Sequence, residues 1–360
     1  MTRVHCLETV KKRCGYAQKR RRAKATGPAK RGPAGEGGMV MKKFGVTYFF
    51  DFLGALLRAH NLPMAIYLLL NTFLGIGILS SLAVSFFAVN GTEAFIAGVV
   101  LYFIMQMVIY SPLGEGFLRG QLGACRLPAE VAQRIDPLFA KVVERAQKVN
   151  PHLDDKITLF LKEDDSVNAA AVGRRTVILN TGALSLPNDQ LAGILTHEMG
   201  HISHKDTDLL LAVTIGNGVV ALAFGAIQLF VSLLNMLVGF LSRFHSILAL
   251  VGMLFSLAAQ LFAFLLNLFQ QFWTFLGSLA TKYSGRKQEL RADEFAVNCG
   301  AGKGLSRVLT TFLEEEDAQI RPAAGLLARF TATHPELRAR LMALADLGVP
   351  IERPELLVNP

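Results

Sequence analysis

Four long uncharged stretches constrain this chain more than any other feature. Leu62–Val89, Ala94–Leu113, Leu209–Ser242 and Ser246–Thr281 contain no Asp, Glu, Lys or Arg. A bilayer core takes about 20 apolar residues in a helix, so each stretch is long enough to cross. Lipid offers the backbone no hydrogen-bond partner, which leaves the helix as the conformation open to such a segment. Hydrophobic residues make up 52% of the chain and charged ones 18%, too apolar a balance for a soluble domain of this size. The expected fold is therefore mainly α, with transmembrane hairpins over 62–113 and 209–281. Soluble blocks are expected over 114–208 and 282–360. Asn71, Asn217, Asn235 and Asn267 lie inside the runs and read as helix-to-helix contacts. The spans carry no ionisable pathway residues, which argues against a channel or transporter.

Charge is concentrated at one end. Residues 1–43 hold 13 Lys or Arg against two acids, Glu8 and Glu36. That is +11 (13 − 2) of the formal +9, leaving −2 for the remainder. The basic character belongs to a tail that reads as disordered, so nucleic acid is not an expected partner. The tail suits anionic headgroups instead. Met39 and Met41 offer alternative translation starts. The Asn90–Glu93 link has no basic residue, so the positive-inside bias places the amino terminus and both soluble blocks in the cytoplasm. Cys6, Cys14, Cys125 and Cys299 show no C-x-x-C spacing and are expected to be free thiols.

Chemistry enters at His197-Glu198-Met199-Gly200-His201. Residues four apart share a helix face, so His197 and His201 can address one metal ion. Glu198 stands one step round, where it reaches a water without ligating. A catalytic zinc takes three protein ligands and keeps one position open. Downstream, Glu289 and Asp293 are again four apart: Glu289 fits the third ligand, and Asp293 fits a carboxylate that orients a ligand imidazole. Alone, Glu289, Arg291, Asp293 and Glu294 would read as a solvated helix face. An upstream H-E-x-x-H tips the balance. Two apolar runs separate Glu289 from the histidines, an even number of crossings, so all three end on one side of the membrane.

In the first soluble block, Val131, Ile135, Leu138, Val142 and Val143 mark one face of a helix over Ala129–Lys148. Lys156–Leu161, Val167–Val172 and Thr176–Asn180 read as strands of a small antiparallel sheet beside the motif helix. Asn168, Ala169, Ala170 and Ala171 form a candidate substrate strand, since small side chains let a peptide backbone approach. A closely packed alanine strand is the alternative. His204 reads as a surface residue and Asp206 as structural.

Taken in order, Asn168–Gly173, His197–Asp206, Glu289–Asp293 and Thr333-His334-Pro335 with Arg340 resemble the HtpX-type integral-membrane zinc metallopeptidases, relatives of the CAAX prenyl proteases. The likeness runs from about Leu62 to Leu344. One departure is Gly285, where relatives often carry arginine; Arg286 is next to it. The resemblance implies four transmembrane helices and a cytoplasm-facing α+β zincin-like catalytic domain with a small sheet. It implies one Zn2+ per chain on His197, His201 and Glu289, with Glu198 as base, Asp293 behind a ligand, and His334 or Arg340 as a candidate oxyanion stabiliser. It also implies a multi-pass protein of a bacterial inner membrane that cleaves membrane or misfolded proteins in quality control. The alternatives are a processing peptidase for one defined substrate, or a non-catalytic membrane scaffold with a structural metal. The expected partners are protein or peptide substrates and the lipid bilayer; the oligomeric state is left open.

Overall fold

The structure, a computed structural model, describes residues 52–87, 89–243, 246–318 and 337–357. The basic tail and His334 lie outside them. The chain divides into two compact units, one over 62–108 and 210–281, the other formed by the remaining segments.

The apolar unit is built from α1 (Leu62–Phe87), α2 (Gly91–Ile109) and the apolar parts of α6 (Asp206–Leu241) and α7 (Ser246–Asn298). Among the described residues these four helices are long and apolar enough to cross a membrane. Only 11% of the most apolar window of α7 is buried, leaving Leu257, Phe264 and Phe272 exposed as lipid-facing residues would be. α2 stops at Ile109, short of the end of its apolar run at Leu113, because a new helix begins there. The Ser111 hydroxyl accepts from the Leu113 N–H, and Pro112 occupies the first turn, where its missing donor costs nothing. Polar residues join α1, α6 and α7. The Tyr67 hydroxyl donates to the Asn217 side chain and lies 3.2 Å from the Trp273 carbonyl, and Trp273 Nε1 donates to Asn71 Oδ1 at 3.3 Å. This is the packing role expected of Asn71 and Asn217.

The second unit holds α3 (Pro112–Gln121), β1 (Cys125–Arg126), α4 (Ala129–Val149), β2 (Thr158–Lys162), β3 (Ala169–Val172), β4 (Thr176–Asn180), α5 (Asn188–His204), α8 (Gly302–Ala318) and α9 (Leu337–Asp346). The sheet order is β1-β2-β4-β3. It is mixed, a correction to the antiparallel expectation: β2 and β4 run parallel, while β1–β2 and β3–β4 are antiparallel. The tight Gly173–Arg175 turn, with Gly173 at φ +61, makes β3 and β4 a hairpin. Every residue of β4 is buried, so β4 takes the centre and β3 is left on the edge. Val131, Ile135, Phe139, Val142 and Ala146 of α4 pack with Leu159, Leu161, Val177, Leu179 and α5 in one apolar core. Cys299 is a free, buried thiol, but Cys125 is disulfide-bonded, which corrects the expectation for that residue.

α6 and α7 belong to both units. One helix, α7, therefore carries both the membrane segment and the carboxylates of Glu289 and Asp293.

Candidate metal centre

α5 is buried from Gly193 to Gly200, so nearly every side chain of the motif has to meet protein. Gly200 makes the decisive approach possible. A Cβ there would lie 2.8 Å from Ala292 Cα, closer than real Cβ contacts come. The missing side chain lets α5 and α7 touch at backbone distance, which brings His197 and His201 against Glu289 and Asp293. Gly200→Ala is expected to force the helices apart and lower stability by about 1–3 kcal/mol, read as a lower melting temperature. An unchanged melting temperature would mean that the crossing does not depend on this contact.

The two imidazoles share one arrangement. His197 Nδ1 lies 2.8 Å from Asp293 Oδ1, and His201 Nδ1 lies 3.2 Å from Asp206 Oδ2. Both carboxylates are buried, and an Nδ1–H donated to each fixes the tautomer that leaves Nε2 with its lone pair. The two Nε2 atoms then face each other at 3.2 Å. Glu289 closes the group, with Oε2 3.3 Å from His197 Nε2 and Oε1 3.7 Å from His201 Nε2. Lone pairs converging at these distances call for a cation between them. Two ligands about 2.05 Å from a tetrahedral zinc stand about 3.3 Å apart, close to the spacing seen. His197, His201 and Glu289 form the group of ligand atoms, all within 4.8 Å of one another, that could hold a metal ion. The donor set and its spacing fit zinc.

Charge around the group is balanced from behind. Arg340, on α9, places Nε 2.8 Å from Asp293 Oδ2 and Nη2 2.7 Å from Oδ1, a two-pronged fork. Its Nη1 lies 3.0 Å from Glu289 Oε2. Burial alone would push Asp293 up; hydrogen bonds from His197 and Arg340 hold it below the usual carboxylate range. Burial likewise pushes His197 down, but its bonds to Asp293 and Glu289 prevail and raise it to about 9, so a metal taking the Nε2 lone pair has to displace a proton there. Glu198 stands apart from the ligand atoms. Burial raises its carboxyl above the ordinary value, against the pull of His201 and His197. Its Oε2 accepts the Ala171 N–H at 2.7 Å. That N–H points away from β4, so the free edge of β3 opens toward Glu198.

The residues singled out by sequence are thus brought together, apart from His334, which lies outside the described residues. His197, Glu198, His201, Glu289 and Asp293 cluster, and Asn168–Ala171 runs along the sheet edge beside them, with Ala171 in contact. Arg340 contacts Asp293 and Glu289. Two things were not read from the sequence. Asp206 backs His201 as Asp293 backs His197; the signal was an acid just past the motif helix. Lys205, at φ 66, turns the chain there so that Asp206 folds back. His204 is no simple surface residue: its ring packs edge-on against Phe295, with centroids 5.8 Å apart.

The crystal structure of S. mikatae Ste24p is similar to this chain at 17% identity and a TM-score of 0.41, covering 84% of this chain and 66% of that one. This chain therefore spans just under two thirds of that protein's length. The model of peptidase family M48 matches residues 132–347, which is 216 of the 360 residues and takes in the whole cluster from His197 to Arg340. With more than half its length matched by that family, this chain belongs to peptidase family M48.

Proposed function

We propose that this protein is a membrane-embedded zinc metalloendopeptidase that hydrolyses peptide bonds of membrane or misfolded proteins at the cytoplasmic face. One observation carries the reading: two imidazole lone pairs and a carboxylate converge, while Glu198 stands beside them uncommitted to the ligand group. A structural zinc is generally closed by four Cys or His ligands, whereas three ligands with a neighbouring free carboxylate suit catalysis. The cytoplasmic placement rests on the basic tail, and quality control rests on the resemblance to HtpX-type enzymes.

His197, His201 and Glu289 would hold the ion, with Asp293 and Asp206 fixing the rings. Zinc, when bound, acidifies a water and polarises a carbonyl. Glu198 accepts a proton from the attacking water as its oxygen bonds to the carbonyl carbon. It returns that proton to the nitrogen as the C–N bond breaks, so a free amine and a carboxylic acid leave, and the acid then loses its remaining proton to solvent. The outer edge of β3 holds the substrate extended: Ala169 and Ala171 offer their carbonyls to a peptide that adds as a fifth strand, and their N–H groups reach it only by leaving Asn168 Oδ1 and Glu198 Oε2. Ala170, exposed and small, leaves room for it. Arg340 acts as a positioning residue, because its guanidinium is spent on Asp293 and Glu289.

The test is metal removal from the purified full-length chain. A chelator is expected to abolish cleavage of an unfolded protein substrate, and one equivalent of zinc per chain is expected to restore it. Cleavage that persists in metal-free protein would overturn the assignment.

A further inference from the structure

On the same unit as the metal centre, a cavity of about 460 Å³ opens at the carboxyl end of α5. Arg58, Lys205 and Arg291 line it, with Glu294 as the opposing acid, a net charge of +2 (3 − 1). None of the described carboxylates lies within ion-pair range of Arg58 or Arg291. Their side-chain contacts are weak ones: Arg58 Nη1 to the His204 carbonyl at 3.4 Å, and Arg291 Nη1 to His60 Nε2 at 3.5 Å. Burial and the nearby Arg58 lower the Arg291 guanidinium against the pull of Asp206 and Glu294, so the fold has assembled positive charge here at a cost.

Two further features point the same way. His204 lines the cavity, and its buried Nδ1 has no hydrogen-bond partner. A buried polar atom left unpaired is rare enough to ask what it meets. Lys205 is buried although it occupies a left-handed backbone position, φ 66, where glycine would sit without strain. Its side chain is one more cation among the residues that line the cavity.

We propose that this cavity is a binding site for a phosphate group. Two guanidinium forks match phosphate oxygens, and the volume is that of a small-molecule site. Chain position says where the phosphate comes from. Arg58 stands four residues before the apolar helix beginning at Leu62, Lys205 directly precedes α6, and Arg291 lies ten residues past Thr281 on α7. Each cation is thus close in sequence to the end of an uncharged run, and cations that flank such runs attract anionic headgroups.

The experiment uses the full-length chain in neutral detergent. Native mass spectrometry counts retained phosphatidylglycerol, and titration with inorganic phosphate forms a second arm. Wild-type protein is expected to retain one phosphate-bearing molecule. Arg58→Gln with Arg291→Gln is expected to weaken retention about 30-fold, while Arg58→Lys with Arg291→Lys, which keeps the charge and loses the forks, weakens it less. Retention of phosphatidylglycerol that inorganic phosphate does not displace identifies the lipid as the source; binding of inorganic phosphate without lipid preference identifies the free ion. Should the double glutamine variant fail to fold, Arg58→Gln alone, checked by its melting temperature, carries the comparison. Equal retention of both probes by the folded glutamine variant and the wild type, or retention by neither, overturns the site.

Discussion

Glu198→Gln is expected to lower peptide hydrolysis by about a thousandfold or more while zinc stays bound at one per chain. The two outcomes separate because Glu198 is not among the converging ligand atoms. Glutamine keeps the shape of the side chain and an oxygen that can accept the Ala171 N–H, so the strand edge stays where it is. It cannot take a proton from water. Measured together, turnover on an unfolded substrate and metal content distinguish a lost base from a lost ligand. Turnover within a few-fold of wild type would remove Glu198 from proton transfer, and loss of zinc with activity would make it part of the metal's support instead.

Much of the ligand group was legible because helical spacing is a local rule. His197 and His201, like Glu289 and Asp293, stand four apart, so each pair is set on one face before any tertiary structure is known. Parity of membrane crossings then linked the two pairs. What remained hidden is non-local. Asp206 reaches His201 only because Lys205 adopts a left-handed conformation that its side chain gives no reason to expect. The parallel pairing of β2 with β4 depends on which strand takes the centre, and alternation along a short strand does not report that. The cationic cavity draws Arg58, Lys205 and Arg291 from three distant segments, each an ordinary charge near the end of an apolar run. Gly200 was visible as part of the motif, but its closeness to Ala292 belongs to a helix crossing that sequence does not specify.

Arg340→Met tests how the buried charges are held. Arg340 is 7% exposed, and its guanidinium touches both Asp293 and Glu289. Methionine fills similar space but leaves two buried carboxylates without their cation, and removing one partner of a buried ion pair costs about 3–5 kcal/mol. In protein stripped of metal the melting temperature is expected to fall by about 10 °C. Zinc bound by His197, His201 and Glu289 would restore positive charge to the same carboxylates, so the loss should be smaller in zinc-saturated protein. Zinc affinity is itself expected to drop 10- to 100-fold, because Asp293 without its fork orients His197 less firmly. The dependence on metal is the diagnostic part: a residue that merely fills space would cost the same with and without zinc. If the variant melts as the wild type does in the chelator, the charge balance does not rest on Arg340, and Asp293 must be neutralised some other way. A fall of equal size in both conditions would reduce Arg340 to packing and remove it from the support of the ligand group.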